Sequence, residues 1–224
     1  MPSAGAETVV GIDEAGRGSW IGPLVVGAFR APRSALPAVR SAGARDSKEL
    51  SPAARAQVYE RLLRLGTCRS VELRPAEIDR AVASNALNDL EATAFARLVR
   101  DLEPSVAYVD ACDADAGRFG RRVARRAGLD VRIVARHKAD RDNPYVGAAS
   151  IVAKVRRDRA IERLSETLGA EVGSGYPSDH RTIEFVRRTV GVDGPRPDWL
   201  RESWATTRRV IPRRTGPTLD TPFP

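Results

Sequence analysis

Two apolar runs, residues 7–12 and 22–31, are rich in Val and read as strands joined by a glycine-rich corner. Further strand-like runs lie at 67–74, at 105–113 ("SVAYVDACD") and at 131–136 ("VRIVAR"). Between them the apolar residues shift to helical spacing. Ser51 is placed to cap a helix that starts at Pro52; Val58, Leu62 and Leu65 follow on one face and Gly66 ends it. Residues 85–102 set Leu87, Leu90, Ala94, Leu98 and Leu102 on one stripe. Residues 117–128 predict a basic helix, Pro144 opens a long one, and two more are expected at 179–190 and 197–210. Strands early, helices between the later strands and a helical end predict an α/β domain with a mixed sheet. One domain is expected over 1–210, including a helical extension over about 178–210. Residues 211–224, rich in Pro and poor in apolar side chains, are expected to form a disordered tail.

A chain of 224 residues is long enough for one such core. No apolar run approaches the roughly 18 residues of a membrane helix. The start lacks a basic stretch followed by an apolar one, so a cytoplasmic protein with no membrane partner is expected. Cys68 and Cys112 have no CxxC spacing and read as reduced thiols. Charge changes the picture more. Lys and Arg number 37 against 29 acids, giving +8 and an isoelectric point near 10.3. That balance suits a polyanionic partner, nucleic acid first. A surface tuned for solubility is the plainer alternative.

Three strand-like runs end near acids: Asp13 with Glu14, then Asp110, then Asp140. Ligands of open α/β sheets gather beyond the carboxyl ends of the strands. If these strands are neighbours, four carboxylates converge there, and they repel unless hard cations lie between them. Oxygen ligands without a His or Cys cluster point to Mg2+ or Mn2+ rather than zinc. Two such ions make the clamp used in phosphoryl transfer. Taken singly, a strand-terminal Asp is more often a turn or cap residue, and Asp113, Asp115 and Asp142 lie close by. Four such acids in a basic protein shift the balance toward a nuclease.

The stretch "GIDEAGRG" resembles the signature of the ribonuclease HII family, the type 2 ribonucleases H. The likeness continues through "DSKEL", "YVDACDAD", "HKADRDNPYVGAASIVAK", "GSGYPSD" and "RESWATTRRV", roughly residues 8 to 210. It implies a ribonuclease H-like fold, a five-stranded mixed sheet flanked by helices with a helical C-terminal extension. It also implies an endonuclease acting on RNA–DNA hybrids and on single ribonucleotides embedded in duplex DNA. By position, Asp13, Glu14, Asp110 and Asp140 match the family's catalytic metal ligands, serving two ions in catalysis. Gly16, Arg17 and Gly18 match the loop that reads the ribose 2′-hydroxyl and its phosphate. Tyr176 matches an aromatic stacking on the next sugar, while Lys48, His137 and Lys138 match polar positions near the nucleic acid. The residues support this independently: glycines let a backbone approach a ligand, and the 2′-hydroxyl alone marks one ribonucleotide. Without the preceding acids, "GRG" would read as a plain tight turn.

Where the family commonly has Pro after this signature, the chain has Ser19 and Trp20. Ser19 is expected to leave the corner freer, and Trp20 to pack beneath it rather than line a groove. Arg118, Arg121, Arg122, Arg125 and Arg126 crowd one helix and read as a solvated face. Residues 181–214 hold nine Arg against four acids, and part of that set is expected to contact duplex backbone. Trp199 and Trp204 are expected to anchor the last helix. The terminal "TPFP" has one aromatic, too little to support a sliding-clamp contact, and a monomer is expected. A resolvase-like nuclease would share the acids but needs no 2′-hydroxyl reader. A binding protein without catalysis would not need all four acids.

Overall fold

The computed structural model describes residues 7–44, 50–191 and 196–211, without the side chain of Arg208. Lys48 and the segment 212–224 lie outside these residues.

Five strands form one mixed sheet in the order β3-β2-β1-β4-β5. The strands β1 (Thr8–Ala15), β2 (Leu24–Pro32) and β3 (Thr67–Leu73) make an antiparallel meander. β4 (Val106–Asp110) and β5 (Arg132–Arg136) add parallel to β1. The expected α/β class, with a five-stranded mixed sheet flanked by helices, is what the chain adopts. One boundary differs in a way that matters: β1 runs on through Asp13 and Glu14, which pair with Gly27 and Val26 of β2. The two acids therefore sit within the sheet and not in the loop after it.

Alternation along β1 sorts its side chains between two cores. Val10 and Ile12 enter the cluster beneath α4 (Leu87–Leu102) and α5 (Ala116–Ala127), with Phe95, Leu98, Val109 and Phe119. Val9 enters the opposite cluster beneath α7 (Pro144–Leu168) and α2 (Pro52–Leu65), with Phe29, Tyr59 and Tyr145. The Ser51 cap and the two helix-opening prolines are as the sequence predicts, and an Asn143 cap adds to them. Ser51 accepts from the Ala54 amide with Pro52 at the first turn, and Asn143 accepts from the Tyr145 amide ahead of α7. α7 lies almost on the backbone of β1, since a Cβ on Gly11 would fall 2.0 Å from the Tyr145 carbonyl oxygen.

Four short helices fill connections where no helix was expected: a 3-10 turn (Arg33–Ala35), α1 (Leu36–Ser41), α3 (Pro75–Ala83) and α6 (Ala139–Asp142). α8 (His180–Thr189) matches expectation, but the helix expected at 197–210 begins only at α9 (Ala205–Val210). Long-range bonds claim the backbone before it. Leu200 bridges Ile21, the Gly22 amide donates to the Trp199 carbonyl, and Asp79 accepts from the Glu202 and Ser203 amides. Trp199 anchors this segment of turns rather than a helix, and Trp204 stands at the helix N-cap. Ile211, expected in the tail, is buried. Among the described residues no helix is long and apolar enough to cross a membrane.

Gly11→Ala should push α7 off the sheet and lower stability by about 3 kcal/mol. Urea denaturation measures this; a loss below about 1 kcal/mol would mean that the contact yields freely.

Candidate active site

Sheet register gathers the acids. Asp110 ends β4 one residue beyond the Ile12–Val109 pair, so it lies beside Asp13 on the α7 face. Asp140 enters from α6, immediately after β5, and the Ala139 amide donates to Asp110 Oδ1 at 3.1 Å. One ligand oxygen from each of Asp13, Asp110 and Asp140 lies within 4.8 Å of the others. Glu14, one residue along β1, points to the α4 face and is not in that tight group, although Asp13 and Asp110 both raise its pKa. Here the structure places the four predicted acids together as three on one face and one on the other.

Burial makes this grouping electrostatically strained. Asp13 is 5% exposed, and its carboxyl is raised to about 6, chiefly by burial, against the lowering effects of Lys154 and the Ser150 hydroxyl. Glu14 is pushed well above the usual carboxylate range by burial first, then by Asp13, Glu91 and Asp110. Its Oε2 is buried without a hydrogen-bond partner. Carboxylate oxygens this close and this buried, with Glu14 Oε2 lacking a donor, fit hard divalent cations.

The corner 16–19 leaves the sheet beside these acids. Gly16 has φ 85° and would drive a Cβ to 2.4 Å from Arg157 Nε, so only glycine fits. Nothing lies within 4 Å of a Cβ on Gly18, whose backbone faces open space. Ser19 does not loosen the corner as expected: its amide and hydroxyl both donate to the Gly16 carbonyl, at 3.2 and 2.7 Å. Trp20 is fully buried beneath the corner, as expected, and its indole donates to Thr207 Oγ1. Arg17 turns toward α4, where Nε donates to Glu91 and Nη2 to Asn88, both at 2.8 Å.

Tyr176 comes to the corner through the neighbouring backbone, since the amides of Trp20 and Ile21 donate to the Gly175 carbonyl. The Tyr176 ring is half-buried, with the Arg157 guanidinium 4.4 Å from its centroid. His137 and Lys138 are exposed just ahead of α6; His137 Nδ1 lies 3.2 Å from the Ala111 carbonyl, and Lys138 is left-handed at φ 55°. The nearby acids have other duties. Asp113 is held at about 2, first by Arg118, and Asp115 caps α5. On α5, Arg122 and Arg126 pair with Asp89, so the face is partly ion-paired. Sequence reading passed over Asn88, Glu91, Ser150, Lys154, Arg157 and Arg201. A signal existed for three of them: Ser150, Lys154 and Arg157 break an apolar helix at i, i+4 and i+7.

A family model described as Ribonuclease HII matches residues 10–207. The chain is 42% identical over 212 residues to a ribonuclease HII of Methanocella arvoryzae, covering 94% of this chain and 95% of that one. It superposes on the crystal structure of the ribonuclease H2 from Pyrococcus horikoshii with TM-score 0.83 and 38% identity, over 91% and 97% of the two chains. The ribonuclease HII of Archaeoglobus fulgidus, solved as a complex with PCNA, gives TM-score 0.80 and 38% identity over 88% and 95%.

An acid whose folded pKa exceeds its unfolded value stabilises the protein below the unfolded pKa and loses that contribution as pH rises through the folded one. For Asp13 that window runs from 3.8 to about 6. In chelator, Asp13 should therefore withdraw about 1 kcal/mol between pH 5 and pH 7, and Asp13→Asn should remove that part of the pH dependence. Urea denaturation at both pH values compares the two proteins; identical slopes would refute the strain assigned to Asp13.

Proposed function

The chain belongs to the ribonuclease HII family and is a metal-dependent endoribonuclease; on that premise, we propose that it hydrolyses the RNA strand of RNA–DNA hybrids and also cuts 5′ of single ribonucleotides embedded in duplex DNA. The products are a 3′-hydroxyl and a 5′-phosphate, and the role is ribonucleotide excision during DNA replication in the cytoplasm. The observation that carries the reading is the joining of two devices. The carboxylates of Asp13, Asp110 and Asp140 lie at one end of the sheet, and the corner leaving that end is tied to Gly175, next to Tyr176.

Each residue has a role in that reading. Asp13, Glu14, Asp110 and Asp140 hold two divalent ions, Mg2+ or Mn2+. Those ions supply Lewis-acid charge and lower the pKa of water beside the scissile phosphate. Backbone groups of Gly16, Arg17 and Gly18 face the ribose 2′-hydroxyl, with Arg17 steadied by Glu91 and Asn88. Tyr176 stacks on the following sugar, and Lys48, His137 and Lys138 line the nucleic-acid path. Arg187, Arg188 and Arg209 are exposed on the C-terminal helices and supply phosphate contacts. The protein acts as a monomer, and the PCNA complex of the Archaeoglobus relative supports a replication clamp as a further partner.

Asp110→Asn should cut the rate by on the order of 10³-fold while leaving duplex binding nearly intact, because the basic surface supplies most of the affinity. The assay is cleavage of a DNA duplex carrying one ribonucleotide, with Mg2+, with Mn2+ and with chelator. A variant retaining a tenth of native activity, native activity unaffected by chelator, or products ending in a 2′,3′-cyclic phosphate would each refute a part of the reading.

A further inference from the structure

Two arginines are buried under the corner, and neither has a carboxylate at ion-pair distance among the described residues. Arg201 is fully buried and spends its donors on backbone: Nη1 on the Arg17 carbonyl, Nε and Nη2 on that of Gly22. It fixes the corner from the side of the C-terminal segment. Arg157, 3% exposed on α7, is placed differently, between the two loops that meet the nucleic acid. Its Nη2 donates to the Ser174 carbonyl at 3.0 Å, and its guanidinium covers one face of Tyr176. Gly16 also lies against it, close enough that a Cβ there would meet Nε and Cδ, and a Cβ on Gly175 would fall 2.7 Å from Nη2. The adjacent Asp158 pairs with Arg55.

Stability alone does not account for Arg157. A buried charge is expensive to desolvate, and well-packed apolar residues of similar volume usually serve a core at least as well. A planar guanidinium does something an apolar side chain or an ammonium cannot: it stacks flat on a ring and donates in its own plane. Arg157 touches both Gly16 and the Tyr176 ring, so one side chain bridges the corner and the aromatic.

Building on the function proposed above, we propose that Arg157 is a positioning residue that sets the spacing between the Gly16–Arg17–Gly18 corner and the Tyr176 ring, and thereby favours a single embedded ribonucleotide. A lone ribonucleotide offers one register, in which its 2′-hydroxyl and the next sugar must meet both devices together. A continuous hybrid offers many registers and tolerates a loosened spacing.

The test measures kcat and KM on a duplex with one ribonucleotide and on an RNA–DNA hybrid. It compares the native protein with Arg157→Met, Arg157→Lys, Tyr176→Ala and the Arg157→Met/Tyr176→Ala double variant. Arg157→Met should lower kcat/KM on the single ribonucleotide about tenfold more than on the hybrid, within the range expected for losing aromatic alignment. Arg157→Lys should shift the ratio the same way, because it keeps the charge and loses the plane, and it carries the test alone if the Met variant does not fold. The double variant should be no less selective than Tyr176→Ala. Equal losses on both substrates, with or without a lower melting temperature, would reduce Arg157 to structural support and overturn the inference. Multiplying losses in the double variant would also overturn it. A native protein that leaves the single ribonucleotide uncut would instead overturn the function on which the inference rests.

Discussion

The closeness of α7 to the sheet governs the rest of the site. Glycine at position 11 lets the helix backbone touch β1, and Gly27 does the same on β2, where a Cβ would lie 2.5 Å from the Ala153 amide nitrogen. Small residues along α7, among them Ala148, Ala149 and Ala153, continue that contact in full burial. At this distance the polar side chains on the same stripe of the helix reach the chemistry directly. Ser150 and Lys154 meet Asp13, and Arg157 meets the corner one turn further on. A helix held off by ordinary side chains would leave Asp13 without Lys154, and Gly16 and Tyr176 without the guanidinium that touches both.

The second constraint is the two-residue period of a strand. Asp13 and Glu14 are consecutive in β1, so they cannot share a face. Asp13 joins Asp110 and Asp140 on the α7 side, while Glu14 joins Glu91 and Arg17 on the α4 side. Carboxylates thus face both layers of the fold, and Glu14 carries the charge of this sheet end toward α4. Glu91 is fully buried and holds Arg17 by Nε; Asn88, one turn earlier, holds it by Nη2. The same helix thus bears on the buried acid and on the side chain of the corner.

Much of this was legible in the chain, for reasons that also explain the failures. The strands and the long helices announce themselves because their patterns are local: Ser51 with Pro52, the Leu stripe of 87–102, Pro144 at the start of the long helix. The acids stood out because charge beside a Val-rich strand is rare. What stayed hidden depends on distant partners. Residues 197–204 have a helical rhythm, yet Leu200 bridges Ile21 and Asp79 takes the amides that a helix would use. Ser19 looked like a loosening replacement for proline, and only the folded corner shows its hydroxyl closing onto Gly16. Arg201 sits among many arginines in a basic chain with nothing local to mark it as buried, and for Arg157 the only mark is its spacing from Ser150 and Lys154 along α7.

Those two arginines also explain why the C-terminal segment is not an appendage. Trp20 donates its amide to Gly175 and its indole to Thr207, and Arg201 grips the carbonyls of Arg17 and Gly22. The corner is thus closed from three directions: by α7 through Arg157, by the Gly175 loop, and by the segment carrying Trp199, Leu200 and Arg201. In the role proposed for it, telling one hydroxyl from a hydrogen, the corner has little binding energy to spend on ordering itself, and a shape fixed before the ligand arrives serves that role. Exchanging proline for Ser19 and Trp20 keeps that rigidity by other means. The hydroxyl restores a local bond, and the indole ties the corner to Thr207. Rigidity here comes from α7, the Gly175 loop and residues 199–207 acting together on the three residues of the corner.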